Sequence, residues 1–302
     1  MSIFNREAAL WGSIYLAILL SVLTMMGAVT VLFIMLPVTI LYVRQNANRF
    51  FIVYAIALAI AIAFAGGAGV AIAAVSVFFL IASGMMGRQY KAGASAGAVI
   101  TVGTVTLIAE TLLVFLGASL FGLNIPQMYK NSLRQFFDLF NTMAANTLDA
   151  ELIRQTVETM ANEIPYYIIV CSFLLVLFTH WLARAVLNRY GMNIKGLPPV
   201  QNWMLPKSFV WYYLIALGAS LFVAPSAQSV WAVILLNLLP LLNLAFVVQG
   251  ISFLFYFAAF KRWNRALPIV GIVIALFFSY PISMLGLADV ALNIRKRMKN
   301  QI

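Results

Sequence analysis

Long apolar runs with almost no charge inside them decide what this chain can become. They span about Leu10–Met26, Ala28–Val43, Phe51–Ala65, Gly67–Met86, Ser95–Phe121, Pro165–Val186, Phe209–Ala224, Ser229–Phe260 and Ala266–Leu287. Only 9% of the 302 residues are charged and 64% are hydrophobic, where a soluble domain carries about 25% charged residues. Backbone that crosses lipid must satisfy its hydrogen bonds internally, so it forms helices or a closed barrel. A barrel strand alternates apolar and polar residues; runs such as Ile52–Ala65 and Val99–Phe121 do not. The chain is therefore expected to be an all-α integral membrane protein. It should form a bundle of about eight or nine transmembrane helices in one polytopic domain over residues 1–302. The first run is followed at once by a second, so it reads as an uncleaved helix rather than a signal peptide. Several runs fall short of the roughly 20 residues of a full crossing, which points to tilted or water-lined segments. Gly66 and Gly67 are expected to turn one hairpin.

Orientation comes from the loops. Arg44 and Arg49 fill one, Arg88 and Lys91 a second, and Arg189, Lys195 and Lys207 a third, each two runs from the next. All three can share one face, which the positive-inside rule assigns to the cytoplasm. The net charge of +11, from 19 basic and 8 acidic residues, is thereby accounted for without nucleic acid. The segment 187–208, with Pro198, Pro199 and Pro206, reads as a rigid cytoplasmic Pro-rich loop because proline cannot continue a helix.

The segment 122–164 differs. Its five acids, Asp138, Asp149, Glu151, Glu158 and Glu163, face three bases, Lys130, Arg134 and Arg154, for a net charge of −2; the other 16 bases face Glu7, Glu110 and Asp289, for +13. That contrast places the segment outside the cell. Tyr129, Leu133, Phe136, Phe137 and Phe140 recur at helical spacing. Pro126 suits a first turn, and Ile153, Val157, Met160 and Ile164 make a shorter stripe. The segment is thus expected to be an extracytoplasmic amphipathic helical hairpin, either a connector or a lid over the bundle.

The C-terminal third contains a conflict. One pass over Ser229–Phe260 puts Lys261, Arg262 and Arg265 inside, and the next run then carries Arg295, Lys296, Arg297 and Lys299 outside. Either Pro240 divides the long run or Pro281 turns the last one back; a cytoplasmic tail is expected.

Residues able to do chemistry are sparse. There is no phosphate-binding Gly-rich motif with Lys and Ser or Thr and no His pair for zinc, so neither a cofactor nor an enzyme is expected. Cys171 alone makes no disulfide, and His180 is read as a satisfied interfacial histidine near Arg184. Glu110 stands mid-run with Thr106 one turn before it. A carboxylate at membrane depth is costly unless it is neutral, paired or wet. Two readings stand: a ligand- or proton-binding group, or a protonated carboxyl bonded to a neighbouring Thr. Asn237, Asn243 and Gln249 punctuate Ser229–Phe260 as interhelical glue or, near Pro240, as ligand-binding groups. Ala55, Ala59 and Ala63 share a helical face, and Gly93 and Gly97 form a GxxxG pair; both are candidate helix-docking surfaces or ordinary packing.

Leu197–Pro198–Pro199 followed by Trp203–Met204–Leu205–Pro206–Lys207, then Gln249–Gly250, Gly286–Leu287–Ala288–Asp289 and Arg295–Lys296–Arg297, resemble the YybS-like family of uncharacterised bacterial multi-pass membrane proteins. That family is distantly similar to the substrate-binding S-components of energy-coupling-factor (ECF) transporters. The resemblance implies a cytoplasmic-membrane subunit that captures an unknown small molecule from outside. Its partners would be the lipid bilayer and a coupling subunit with ATPases, or instead a membrane-bound cyclic-dinucleotide phosphodiesterase that it regulates. S-components usually have six helices, fewer than here. Asp289 reads as a helix-end ion pair near Arg295.

Overall fold

The computed structural model describes residues 5–143, 149–223, 229–263 and 266–299; Ala224 and Arg265 lie outside them. Among the described residues every regular element is helical. In chain order these are α1 (Arg6–Ser21), α2 (Gly27–Thr30), α3 (Met35–Arg44), α4 (Ala47–Ala65), α5 (Gly69–Lys91), α6 (Ala96–Leu120), α7 (Ile125–Met143), α8 (Ala150–Asn162), α9 (Ile164–Arg189), α10 (Ser208–Ser220), α11 (Val230–Phe260), α12 (Ala266–Phe277), α13 (Ser279–Leu292) and α14 (Ile294–Lys299). Five stretches among the described residues are long and apolar enough to cross a membrane: Gly27–Arg44, Ala47–Lys91, Ala96–Leu120, Ile164–Arg189 and Val230–Phe260. Shorter apolar helices accompany them. The chain divides into two compact units, Met1–Ile125 with Ile168–Leu197 and Pro126–Tyr167 with Pro198–Ile302.

In the first unit, side-chain caps start the helices where the apolar runs begin. Asn46 accepts from Arg49 N before α4, and Ser95 accepts from Ala98 N before α6. Gly66, at φ 54° and ψ −121°, turns α4 into α5, and the two helices lie antiparallel with Tyr54 OH 2.5 Å from Ser76 Oγ. Tyr15 of α1 stacks on Tyr54 at 5.5 Å between centroids and reaches the same Ser76 hydroxyl. The basic loops meet at one end of this unit. Arg44 pairs with Glu7 at 2.9 Å and lies 4.9 Å over the Tyr190 ring, while Lys91 Nζ reaches Gln45 O and the Tyr42 ring.

In the second unit the acidic and basic parts separate along α11. Asn237, near the start of α11, donates to Asn162 O and accepts from Tyr166 N, each at 2.8 Å, so the α8–α9 junction is fixed there. Lys261 ends the same helix, about 36 Å further along at 1.5 Å per residue. The helical hairpin expected from sequence is present, but its halves differ. α8 buries Ile153, Val157 and Ala161. No residue of α7 is buried, and Phe136 and Phe140 stand exposed. Residues 144–148, between the halves, lie outside the described set.

The C-terminal conflict resolves through a break at Phe278, not at Pro240, which sits inside an uninterrupted α11. Pro281 occupies the first turn of α13, where a missing N–H is harmless. α12 runs back along α11, with Gly271 against Leu254. The chain then reverses. Gly286 lies over Phe246 and Gly250, Asp289 bonds Gln249, and Arg295 reaches Ser252 and lies over Tyr256. Advancing along α13 and α14 is thus advancing along α11. Lys261 and Arg262 share one end of α11 with Lys296 and Arg297. α12 and α13, about 18 and 21 Å long, are each shorter than the roughly 30 Å hydrocarbon core, as a re-entrant hairpin requires. In a Cys171→Ser background, Lys261→Cys and Lys296→Cys are expected to react with a membrane-impermeant maleimide from the same side. Labelling from opposite sides would disprove this hairpin.

Candidate functional site

Pro198, Pro199 and Pro206 keep the segment 198–207 from becoming an α-helix; it makes only one short helical turn, at Val200–Asn202. Its backbone groups therefore need partners elsewhere. Side chains of α11 and α14 supply them, and Asp289 of α13 holds those side chains in place. Ser252 Oγ lies 2.7 Å from Val200 O and 2.8 Å from Trp203 O. Arg295 donates through Nη1 to Gln201 O at 2.8 Å and Trp203 O at 3.1 Å, and through Nη2 to Ser252 Oγ at 3.0 Å. Its Nε donates to Asp289 Oδ2 at 2.8 Å. Gln249 donates to the same carboxylate oxygen at 2.6 Å and accepts from Leu205 N at 2.9 Å. The guanidinium also lies 5.1 Å from the Tyr256 ring centroid and 5.9 Å from that of Phe253. Ser252 and Asp289 are 0% exposed, Gln249 2% and Arg295 8%. This is a buried cation site whose occupant is a residue of the same chain. Asp289 Oδ1, also buried, has no hydrogen-bond partner among the described residues.

Trp203, Leu205, Gln249, Asp289 and Arg295 of this site belong to the motifs that carry the sequence resemblance, and comparison with known proteins agrees. A family described as "Predicted membrane protein (DUF2232)" matches residues 13–290. The chain belongs to that family. One DUF2232 relative is "Uncharacterized protein YybS" of Bacillus subtilis (strain 168), 23% identical over 226 residues, covering 71% of this chain and 72% of that protein. No solved structure matches. The resemblance to YybS-like multi-pass membrane proteins thus stands. Gln249 and Asp289 fall inside the DUF2232 match, and Arg295 lies just beyond it.

The candidates named from sequence are dispersed. Of these, Gln249 joins the buried cation site. Asn237 is twelve residues earlier on α11, bonded to the α8–α9 junction and to Val233 O. This bonding is the interhelical glue its position suggested. Asn243 Oδ1 is buried without a partner. In the first unit, Glu110 is 8% exposed, and among the described residues no side chain bonds either carboxyl oxygen, while the Ala82 backbone stands beside it. Among the described residues no threonine bonds it, as one of the two readings required. Thr106 donates to Val102 O and Thr111 to Leu107 O, both at 2.8 Å, because a helical Thr hydroxyl reaches the carbonyl one turn back. His180 is buried, stacked on Tyr90 with Nδ1 2.9 Å from the Tyr90 hydroxyl.

Of the two docking faces, only the glycine pair needs revision. Ala55, Ala59 and Ala63 are exposed on α4, on the face opposite the buried Val53, Ala57 and Ala61. Gly93 has φ 66° and lies in the turn before α6, so it shares no helical face with Gly97. Ser252 and Arg295, the groups that grip the loop, were missed as site residues. Their signal was an Arg six residues from an Asp beside an apolar run.

Proposed function

We propose that this multi-pass membrane protein is a small-molecule binding component of a bacterial membrane transport system, with Glu110 as its ligand- or proton-binding group. The reading is carried by the Glu110 carboxyl, buried in an apolar helix beside the Ala82 backbone, with no side-chain partner for either oxygen among the described residues. A charged side chain at the bilayer centre is disfavoured by about 2.5–3.5 kcal/mol on insertion scales. A bound cation, amine or proton offsets that penalty. ATP-driven transport would require ATPase subunits on other chains, since no ATP-binding motif is present in the sequence. Wild-type protein and Glu110→Gln, extracted from expressing cells, are to be compared by native mass spectrometry. The wild type is expected to retain a small-molecule adduct that the variant lacks. Equal adducts on both, or none on either, would defeat the reading.

A second reading, a scaffold or regulator of another membrane protein such as a cyclic-dinucleotide phosphodiesterase, is favoured by the unburied apolar stripe of α7 and the exposed Ala55, Ala59 and Ala63. It predicts a stable co-purifying membrane partner and no adduct.

A further inference from the structure

Every polar atom bonded to the Arg295 guanidinium is an acceptor: Asp289 Oδ2, Ser252 Oγ and the carbonyls of Gln201 and Trp203, with the Tyr256 and Phe253 rings flanking the cation. Such a set matches a planar, five-donor guanidinium, which a compact ammonium cannot fill. Arg295 is also an imperfect occupant. A carboxylate can take a guanidinium through two parallel bonds, but Asp289 receives only Nε, on one oxygen, and its buried Oδ1 is left unbonded among the described residues. The tether has a pivot. Asn293 sits between α13 and α14 in the left-handed conformation, at φ 49°. Among the described residues, the bonds joining α14 to α11, to the 198–207 loop and to Asp289 all run through Arg295.

We propose that the pocket between the 198–207 loop, α11 and α13 is a binding site for a guanidinium-bearing small molecule, and that Arg295 is its built-in plug. A pivot at Asn293 withdraws α14, and an external guanidinium then takes both oxygens of Asp289. The proposal is independent of Glu110. With Arg295 gone, the acceptors of Ser252, Gln201, Trp203 and Asp289 remain, and an external guanidinium gathers them again.

The test uses the full chain in nanodiscs with methylguanidinium as probe. In Arg295→Ala, hydrogen–deuterium exchange of the amides in residues 200–205 should quicken at least tenfold. Methylguanidinium should restore it saturably, while the same concentration of sodium chloride should not. Arg295→Ala combined with Asp289→Asn should bind the probe at least tenfold more weakly. If Arg295→Ala is poorly folded, Arg295→Lys keeps the charge without the fork, and the same saturable response is expected from it. In the wild type, excess probe should speed exchange in α14 while leaving residues 200–205 protected. Absence of saturable binding to both variants overturns the site. Wild-type α14 protection that never yields to the probe overturns the plug.

Discussion

Replacing Asp289 with Ala is expected to lower stability by about 3–5 kcal/mol, the range found when one member of a buried ion pair is removed. The Arg295 guanidinium keeps its neutral acceptors but loses its counter-charge, at a position only 8% exposed. Gln249 Nε2 loses its 2.6 Å acceptor at the same time. Such a pair gains little over a well-packed apolar one, so the damage lies in the orphaned charge. Asp289→Ala combined with Arg295→Met is therefore expected to recover most of the loss. Reversible unfolding in detergent measures both; equal destabilisation of single and double variants would place the energy elsewhere.

A second arginine in the same unit is the natural control. Arg154 pairs with Glu151 at 2.6 Å and Glu158 at 3.0 Å on the exposed face of α8. Arg154, and then Gln155, hold the Glu151 carboxyl down to about 2. A lowered pKa means that any stabilisation is present above the ordinary value of 4.5 and fades as pH falls toward 2. Water and salt screen that pair, so geometry as good as that of Asp289 and Arg295 is expected to matter little there.

Much of the architecture was legible in the sequence because each deciding signal is local. Continuous apolar runs give helices, Gly66 gives a turn, and charge asymmetry separates the two ends of α11. The re-entrant hairpin was half legible. The conflict between two basic clusters showed that something must reverse, but Phe278, where the break falls, is not a breaker residue. The loop clamp was not legible as a site. Residues 198–207, 249–252 and 289–295 are far apart in sequence, and only tertiary packing unites them. Polar residues in apolar runs were read for ligand binding or as glue; among them Gln249 holds a loop amide. GxxxG spacing misled at Gly93 because a pattern on paper does not guarantee that both glycines stand on the same helix.

The small residues that matter for packing are Gly250 and Gly286, each of which meets backbone. A Cβ on Gly286 would overlap Phe246 O and stand 2.7 Å from Gly250 N; one on Gly250 would overlap Ile282 O. Within a bilayer, lipid tails are as apolar as leucine, so helix association relies on close packing of this sort. Backbone atoms cannot rotate aside as a side chain can. Gly286→Ala must push α13 off α11, and overpacking of this kind costs about 1–3 kcal/mol. Gly286→Leu is expected to break the crossing outright. The same displacement carries Asp289 away from Gln249, so Gly286→Ala should also quicken exchange of the Leu205 amide, two elements away from the substitution. Gly97→Ala, at a position where a Cβ meets nothing within 4 Å, is expected to change neither. If Gly286→Ala loosens the helix pair but leaves Leu205 protected, the α11–α13 crossing does not support the clamp.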